Sequence, residues 1–400
     1  MTTAKHSTGP TRREMLKGSV TLSLLSCLPW NARHLIPRGD EDRILVIVQQ
    51  TGGNDGLNTI IPYGNDAYHA ARPVLRVAPS AVAPLDDYYG LHPAFKSVRG
   101  VWDQGNLHVI NGVGYPNPNR SHFRSMEIWH TASTEDIAPT SGWLGKVTGH
   151  LQEQSDLPVI RVGDRDLPLA LVGAPVQVPA IAQANDLQLK GMARRPRSLL
   201  EQAATDPTNR KGRPLSIATA TKTAFEHARR LEKITARPLV LGQGELGRAF
   251  GLASQLISSG LGPRILYITQ GGYDTHARQG QDHPDLLYTL GIGLSRFQAQ
   301  LETDGIADRV VTFVFSEFGR RITENASGGT DHGAGNPVLL LGQGVRGGLS
   351  GGRPSLLGGS ERDVPLTTDF RQIYLSLLKW LDLPYEKAVP GSFSPLSLFM

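Results

Sequence analysis

Five short runs of consecutive apolar residues, each followed by a glycine-containing segment, divide the chain between residues 43 and 385. The runs are rich in Val, Ile and Leu and do not alternate with polar residues, which is typical of strands buried on both faces of a mostly parallel sheet. The pattern therefore predicts an α/β fold. The five predicted strands cover residues 44–48, 107–110, 265–268, 310–315 and 338–341.

Helical periodicity fills the intervals between the predicted strands. Apolar residues at three- and four-residue spacing predict one helix over residues 285–303 and another over residues 369–381, which ends before Pro384. A third helical pattern follows Ser121 and includes Trp129. The apolar face of each predicted helix is expected to pack against the sheet.

The stretch from about residue 151 to residue 241 has a different composition. It contains eight prolines and a basic patch at residues 194–197. We interpret it as a proline-rich insertion that partly caps the carboxyl edge of the sheet, with a helical piece near residues 221–233. The main domain is then expected to cover residues 43–385, with a C-terminal tail at residues 386–400.

The first thirty residues have the order of a twin-arginine export signal. Arg12 and Arg13 precede an uncharged run over residues 18–28, which is about half as long as a helix that spans a bilayer. This pattern predicts a signal peptide at residues 1–30, a linker at residues 31–42 and no transmembrane anchor. The expected location is therefore periplasmic or extracytoplasmic. The alternative to a signal peptide is that residues 1–30 form a disordered basic N-terminus.

The composition argues against two broad classes of protein. A chain with 39% hydrophobic and 19% charged residues is expected to fold. The formal net charge is +5, but Lys5, Arg12, Arg13 and Lys17 against Glu14 account for three of these charges, leaving +2 for the rest of the chain. Such a small charge gives no support to nucleic-acid binding.

Cys27 is the single cysteine of the chain. One cysteine excludes internal disulfides and cysteine-rich metal sites, so any metal must be held by oxygen and imidazole nitrogen. The segment Leu24-Leu25-Ser26-Cys27 resembles a lipoprotein cleavage box. Two expectations follow: Cys27 is lipidated, or it is discarded with the signal peptide.

Aspartate and histidine residues follow three of the predicted strands. The carboxyl ends of parallel strands lie at one edge of a sheet, where ligands bind, so these side chains are expected to converge. Carboxylate and imidazole groups suit a divalent ion such as Zn, Ca, Mn or Mg. A tight turn at Asp55 and a surface location for Asp274 and His276 are the alternatives. The candidate metal ligands are Asp55, Asp274, His276, Asp331 and His332.

Ser121 is the candidate nucleophile. It is expected at the start of a helix, where free backbone N–H groups favour an anion, although a helix N-cap is an equally good interpretation. Arg120 could pair with a phosphate or sulfate ester through its planar guanidinium group. Glu317 follows the fourth predicted strand and is expected to orient a ligand or act as a general base; a salt bridge is the alternative.

Five motifs carry a family resemblance. In their order, they resemble the domain of unknown function 1501 family over about residues 43–385, and that family is similar to the alkaline phosphatase and sulfatase superfamily. The motifs are TGGNDGLN at 51–58, NRSHF at 119–123, GGYDTH at 271–276, SEFGR at 316–320 and GTDHG at 329–333.

The resemblance implies an alkaline phosphatase-like three-layer sandwich with one or two divalent ions and a hydroxyl or modified cysteine nucleophile. No histidine follows His332 and no Cys-x-Pro-x-Arg motif is present, so one ion is expected rather than two, without the usual sulfatase nucleophile. In this resemblance Asp55 is the first-strand ligand, Ser121 the nucleophile, and Asp274 with His276 and Asp331 with His332 are two ligand pairs.

These observations lead to one functional hypothesis and one alternative. The hypothesis is an exported metal-dependent hydrolase of phosphate, or related sulfate or phosphonate, esters. Its expected partners are a small anionic ester or a modified glycan as substrate and the twin-arginine export machinery, with no nucleic acid. The alternative is a catalytically inactive binding or assembly protein of the cell envelope that keeps the same fold.

Overall fold

A computed structural model describes residues 43–135, 139–151, 155, 157–176, 178–183, 234, 237–357, 363–385 and 388–400. The predicted signal peptide with Cys27, the linker, the basic patch and the helical piece near residues 221–233 lie outside the described residues. Within the described part of the chain, no helix has both the length and the apolar character needed to cross a membrane.

The described strands and helices alternate along much of the chain. In chain order, the strands are β1 Ile44–Gln50, β2 Ile60–Ile61, β3 Ala83–Pro84, β4 Gly90–Leu91, β5 Leu107–Gly114, β6 Val159–Val162, β7 Ala180–Ile181, β8 Ile265–Gln270, β9 Val310–Ser316, β10 Arg320–Glu324, β11 Thr330–His332, β12 Asn336–Leu341, β13 Gly348–Ser350 and β14 Thr368–Asp369. The helices are α1 Asp66–Ala71, α2 Arg99–Asp103, α3 His122–Thr131, α4 Gly244–Ser258, α5 Gln279–Thr303 and α6 Phe370–Trp380.

Nine of the described strands form the central sheet. Its order is β13-β5-β12-β9-β1-β8-β6-β7, with β14 also paired to β5. Only β12 runs antiparallel to its neighbours among these strands, so the prediction of a mostly parallel sheet is confirmed. All five predicted strands are present.

The direction of β12 differs from the expectation. The predicted run over residues 338–341 is a strand, but it is antiparallel to both β5 and β9. Its carboxyl end, at Gly342, therefore lies at the opposite edge of the sheet from the carboxyl ends of the other strands. Its amino end, which follows the hairpin of β10 and β11, lies at the edge where those other strands end.

The core has two layers, one on each face of the sheet. In β1, Val46 and Val48 pack into one cluster with α4 and α5, whereas Leu45 and Ile47 pack into a second cluster with α3 and α6. Both faces of β1 are fully buried, which explains why its sequence is apolar without alternation. Helices on both faces of one sheet confirm the predicted three-layer α/β sandwich.

Two elements extend beyond their predicted bounds. Helix α5 begins at Gln279 rather than Asp285, and Pro284 lies in its second turn, where it cannot donate the backbone hydrogen bond to the carbonyl of Gly280. Strand β5 continues to Gly114 because Val113 pairs with Asn336 of β12 and Thr368 of β14. The glycine-containing segment that follows the apolar run at residues 107–110 is therefore part of the strand.

The predicted insertion contains part of the sheet. Strands β6 and β7 fall within residues 151–241, and β6 pairs in parallel with β8, so this part of the range extends the central sheet by two strands. The capping role stays a prediction, because residues 184–233 lie outside the described chain. In the predicted tail, Phe399 forms a bridge with Val345 and Leu398 is buried.

The register of the sheet places three loops side by side. Gln50, the last residue of β1, pairs with Gln270 of β8 and with Ser316 of β9. The segments that follow these three strands therefore leave the sheet at the same level, and the start of α3 reaches the same edge after β5.

Candidate metal centre

Three separate segments deliver four polar side chains to this edge of the sheet. His122 is the first residue of α3, Asp274 and His276 follow β8, and His332 ends β11. Arg120 and His332 tie two of the segments together, because the backbone carbonyl of Arg120 lies 2.7 Å from His332 Nδ1.

The centre of the cluster is the carboxylate of Asp274. Its Oδ1 atom lies 3.4 Å from His122 Nε2, 3.1 Å from His276 Nε2 and 3.2 Å from His332 Nε2. His122, Asp274 and His332 each offer a ligand atom within 4.8 Å of the other two. His276 lies outside this triad but next to it, with its Nε2 atom 2.8 Å from His332 Nε2. We call these four residues the Asp274 cluster.

The outer nitrogen of each imidazole faces an oxygen acceptor. His122 Nδ1 is 2.8 Å from Glu317 Oε1, His276 Nδ1 is 3.1 Å from Asp331 Oδ1, and His332 Nδ1 faces the carbonyl of Arg120. A carbonyl or an ionised carboxylate can only accept, so each neutral imidazole carries its proton on Nδ1. All three Nε2 lone pairs then point toward Asp274.

The converging nitrogen atoms of this arrangement would be better satisfied with a cation bound between them than without one. His122 Nε2 is buried without a hydrogen-bond partner, and the Nε2 atoms of His276 and His332 face each other, lone pair to lone pair. A buried unpartnered polar atom costs about 1–3 kcal/mol. Imidazole ligands of metals characteristically donate their other ring N–H to a carboxylate or a backbone carbonyl, as these three do.

Asp274 is kept ionised by its neighbours. Partial burial alone would raise the pKa of Asp274, but the hydrogen bond and the positive charge of Arg320 outweigh it and lower the pKa to about 2. The Arg320 guanidinium is fully buried and lies 2.7 Å from Asp274 Oδ1. It also donates to the carbonyls of Gly53, Tyr273 and Thr330, so Arg320 fixes three segments of the site at once.

Glu317 is buried behind His122. Its Oε1 atom accepts hydrogen bonds from His122 Nδ1 and from the backbone N–H of Gly52, both at 2.8 Å, and its Oε2 atom lies 3.0 Å from the Ser316 hydroxyl. The hydrogen bond to Glu317 raises the pKa of His122 against the opposing effect of burial. These contacts hold His122 Nδ1 in place, and the role of Glu317 toward a ligand stays a prediction.

Asp331 lies one step outside the cluster. Its carboxylate holds His276 and accepts a hydrogen bond at 3.1 Å from Asn325, which is the main reason why the pKa of Asp331 is lowered. Asp274 is the carboxylate at the centre, and the predicted ligand Asp331 contacts it only through His276.

Burial lowers the pKa of His332, which favours its neutral form.

Asp55 lies in a different environment from the one predicted for a metal ligand. It is fully buried and forms an ion pair of 2.5 Å with Arg72, and Gln279 donates to the same carboxylate oxygen. Burial alone would raise the pKa of Asp55, but Arg72 reverses the effect and lowers it. The other carboxylate oxygen faces the backbone N–H of Asn58 at 3.4 Å. None of these partners belongs to the Asp274 cluster.

Ser121 and Arg120 directly precede His122 of the cluster, and both are exposed. Ser121 is the N-cap residue of α3, but its side chain is exposed and caps no backbone N–H, so the N-cap alternative has no hydrogen bond to support it. The Arg120 guanidinium forms a partly exposed ion pair of 2.7 Å with Asp363.

His122 has no role in the sequence analysis, although it is part of the NRSHF motif. In this motif Ser121 was predicted to be the nucleophile, and no role was predicted for the adjacent His122. Two signals could have identified it: His122 is the first helical residue beside that serine, and the cluster needs a third imidazole because no histidine follows His332.

Comparison with protein families gives one match. The family model described as "Protein of unknown function (DUF1501)" matches residues 96–389. The chain belongs to the DUF1501 family. The match covers most of the chain, and it includes four of the five motifs that carry the resemblance. None of the curated proteins compared with this DUF1501 protein matches it.

Several solved structures are similar to the DUF1501 protein at low sequence identity. The PsFucS1 sulfatase from Pseudoalteromonas sp. is 9% identical over 97% of this chain and 75% of its own, with a TM-score of 0.40. A protein in the alkaline phosphatase superfamily from Vibrio parahaemolyticus is 12% identical over 89% and 71%, with a TM-score of 0.39. The C-terminal periplasmic domain of EcEptC from Escherichia coli, in complex with Zn, is 10% identical over 87% and 84%, with a TM-score of 0.39.

Proposed function

We propose that this DUF1501 protein is an exported, metal-dependent hydrolase of phosphate esters or related sulfate or phosphonate esters. The observation that carries the proposal is the orientation of three imidazoles. His122, His276 and His332 are each anchored through Nδ1 and direct Nε2 toward the carboxylate of Asp274.

The proposed ligands are the four residues of the Asp274 cluster. Three imidazole nitrogens and one carboxylate oxygen match the donors that zinc and similar borderline ions prefer. Calcium and magnesium prefer oxygen ligands, so this set does not favour them. When bound, such an ion polarises a phosphoryl or sulfuryl oxygen and stabilises the charge that develops there.

The residues around the cluster supply the remaining chemistry. We assign Ser121 as the nucleophile: its Oγ forms a bond to phosphorus while the ester oxygen leaves as the alcohol with the serine proton. Water then replaces Ser121 at phosphorus, which releases phosphate and restores the hydroxyl. The first-turn N–H groups of α3 favour the anionic group. Arg120 precedes Ser121 in the chain, and pairing with the ester would require its guanidinium to leave Asp363.

Measurement of bound metal and turnover in the same preparations tests the proposal. The mature protein is expected to bind one equivalent of zinc or a similar ion and to hydrolyse at least one ester in a panel of aryl phosphates, phosphodiesters, phosphonates and sulfates. His122→Ala and His332→Ala should each lose most of the metal and the turnover. The exposed His150→Ala is the matched control and should retain both.

Ser121→Ala separates the proposed hydrolase from the alternative. We expect this variant to keep its metal and to lose turnover by at least about a hundredfold, because only the nucleophile has been removed. A wild-type protein that binds metal and is stabilised by it, yet hydrolyses none of the esters, would instead support a binding or assembly protein.

Export is the second part of the proposal. The double variant Arg12→Lys, Arg13→Lys is expected to remain in the cytoplasm of cells that have a twin-arginine pathway. Unchanged export of this double variant would contradict the proposed signal.

A further inference from the structure

A polar pocket of about 630 Å³ opens beside the Asp274 cluster. It lies at the same edge of the sheet, because Thr51 follows β1, Gly163 follows β6, and Thr269 with Gly271 marks the end of β8. Its volume lies within the range of small-molecule sites. The proposed mechanism involves none of its residues.

The pocket and the cluster share two segments of backbone. Thr51 pairs with the end of β8, since its N–H donates to the Gln270 carbonyl at 2.9 Å and its carbonyl accepts from the Tyr273 N–H at 3.2 Å. One residue further on, Gly52 binds Glu317, which holds His122. Gly271 lines the pocket and Asp274 lies three residues later, a distance of at most about 10 Å of extended chain. The alcohol part of an ester at the cluster would therefore have to span about 10 Å or less to contact the wall of the pocket at Gly271.

The charges around the pocket balance one another. Arg161 is nearly fully buried, and its guanidinium donates to Asp164 and to the Thr269 hydroxyl, both at 2.8 Å. On the rim, Glu245 and Arg248 lie 4.0 Å apart. The carboxylates of the lining are Asp164, Asp166 and Glu245, and its guanidinium groups are Arg165 and Arg248. A pocket with this balance offers no net attraction to a second anion.

The lining also disfavours an apolar ligand. Among the described residues that form it, no side chain is aromatic, and carboxylates, guanidinium groups, hydroxyls and an amide predominate. Carboxylates accept hydrogen bonds, guanidinium groups donate them, and hydroxyls do both. The ligand that complements such a mixture is a neutral group with several hydroxyls, each of which both donates and accepts.

We propose that this pocket binds the alcohol part of the substrate and that this part is a polyhydroxylated ring of about the size of a hexose, rather than an alkyl chain or an aryl group. The inference rests on the proposed hydrolase function, because the cluster must hold the ester group while the pocket holds the alcohol. It adds a substrate class to that function and assigns Asp166 and Thr269 to specificity.

Two substrates with the same scissile bond and the same number of carbons test the proposal. Hexose 6-phosphates and n-hexyl phosphate both release a primary alcohol, and the 6-sulfates and n-hexyl sulfate replace them if the wild-type protein hydrolyses sulfates. We expect kcat/KM to be at least about tenfold higher for the best hexose ester. Equal or faster hydrolysis of the n-hexyl ester would overturn the inference.

Variants of the pocket connect this preference to its residues. Asp166→Asn and Thr269→Val should each reduce the preference for the hexose ester about tenfold, mainly through a higher KM, while Asp282→Asn, an exposed aspartate on α5, serves as the matched control. A preference that survives both variants would place the specificity elsewhere and overturn the assignment. Asp166 is exposed, so its variant tests the pocket even if Thr269→Val fails to fold.

A binding measurement separates failure of the pocket from failure of the hydrolase. If no ester is hydrolysed, the proposed function fails, but the pocket is still tested by saturation-transfer NMR with methyl hexopyranosides and n-hexanol. Saturation transfer to a pyranoside that weakens in Asp166→Asn would support the pocket. Transfer to n-hexanol alone, or to neither compound, would overturn it.

Discussion

Two aspartates follow buried strands at the same edge of the sheet, and they lie in opposite environments. Asp55 is fully buried and its carboxylate is satisfied by Arg72, Gln279 and Asn58. Asp274 is about half exposed and faces three imidazole nitrogens that lack other partners for their lone pairs. Both sites follow glycine-rich segments, so the local sequence does not distinguish them.

The difference shows how a structural carboxylate is told from a ligating one. The partners of Asp55 are hydrogen-bond donors in a buried network, and Arg72 already supplies the positive charge that a cation would bring. The partners of Asp274 include acceptors directed at a common point, and one of them, His122 Nε2, has no hydrogen bond at all. An unsatisfied set of converging acceptors indicates a cation site, whereas a satisfied ion pair indicates a contribution to the core.

The same chemical change at each aspartate should give opposite phenotypes. Asp274→Asn keeps an oxygen for Arg320 but removes the charge at the centre of the cluster. We expect it to lose its metal and to reduce turnover by about a thousandfold or more, equivalent to roughly 4 kcal/mol, with little loss of stability. Metal analysis and ester hydrolysis provide the measurement. Retention of metal in this variant would remove Asp274 from the site.

Asp55→Asn should instead destabilise the fold. It leaves the Arg72 charge buried without its counter-ion, which typically costs about 3–5 kcal/mol. Urea denaturation measures the loss, and the folded fraction should retain its metal. A variant that keeps its stability but loses the metal would restore Asp55 to the ligand role that the sequence suggested.

As the pH falls, protonation linked to the buried histidines is expected to lower the stability of the fold before the carboxylates become protonated. Burial lowers the pKa of His92, His130 and His283 to about 4, below the usual value near 6.5 that applies in the unfolded chain. Between these values the unfolded state binds more protons, so stability falls as the pH decreases from 6.5 to 4 and is constant above 6.5. The loss is on the order of 3 kcal/mol for each histidine.

Thermal unfolding of the metal-free protein at a series of pH values checks this sign. His130→Gln removes one of the three groups and should make the melting temperature fall less steeply with acid. His122 does not contribute in this window, because a raised pKa gives stability that is lost only as the pH rises. A melting temperature that stays constant between pH 6.5 and 4 would contradict the prediction.

The smallest expected effect is that of Glu317→Gln on metal affinity, because Glu317 contacts the metal ligand His122 rather than the metal. Glu317→Gln can still accept a hydrogen bond but removes the buried negative charge, so His122 should remain in place as a weaker ligand. We expect metal affinity to fall about 10- to 100-fold, measured by competition with a chelator. Unchanged affinity would mean that Glu317 serves only to hold Gly52 and Ser316 at the edge of the sheet.

Much of the fold was predictable from local composition. The buried strands are continuous apolar runs, and the long helices show regular spacing, because both depend on residues that are close in the chain. The direction of β12 was not predictable, since an apolar run does not show which way a strand enters the sheet. Strands β6 and β7 were missed because they are four and two residues long within a proline-rich stretch.

The site was predictable only in part, for a similar reason. Asp274, His276 and His332 were identified from their chemistry and their position after strands, and the structure brings them together. The difference between Asp55 and Asp274 depends on partners distant in sequence, such as Arg320 for Asp274. Arg72 is only 17 residues from Asp55, but nothing in the intervening sequence indicates that the two side chains meet.

The four residues of the Asp274 cluster are distributed from residue 122 to residue 332, in a sheet where neighbouring strands are rarely consecutive in the chain. A nascent polypeptide therefore cannot assemble this coordination sphere until β11 has been synthesised and β12 has closed between β5 and β9. Under the proposed function, ion binding would then follow completed folding, and the proposed export of the folded protein would place ion binding before translocation.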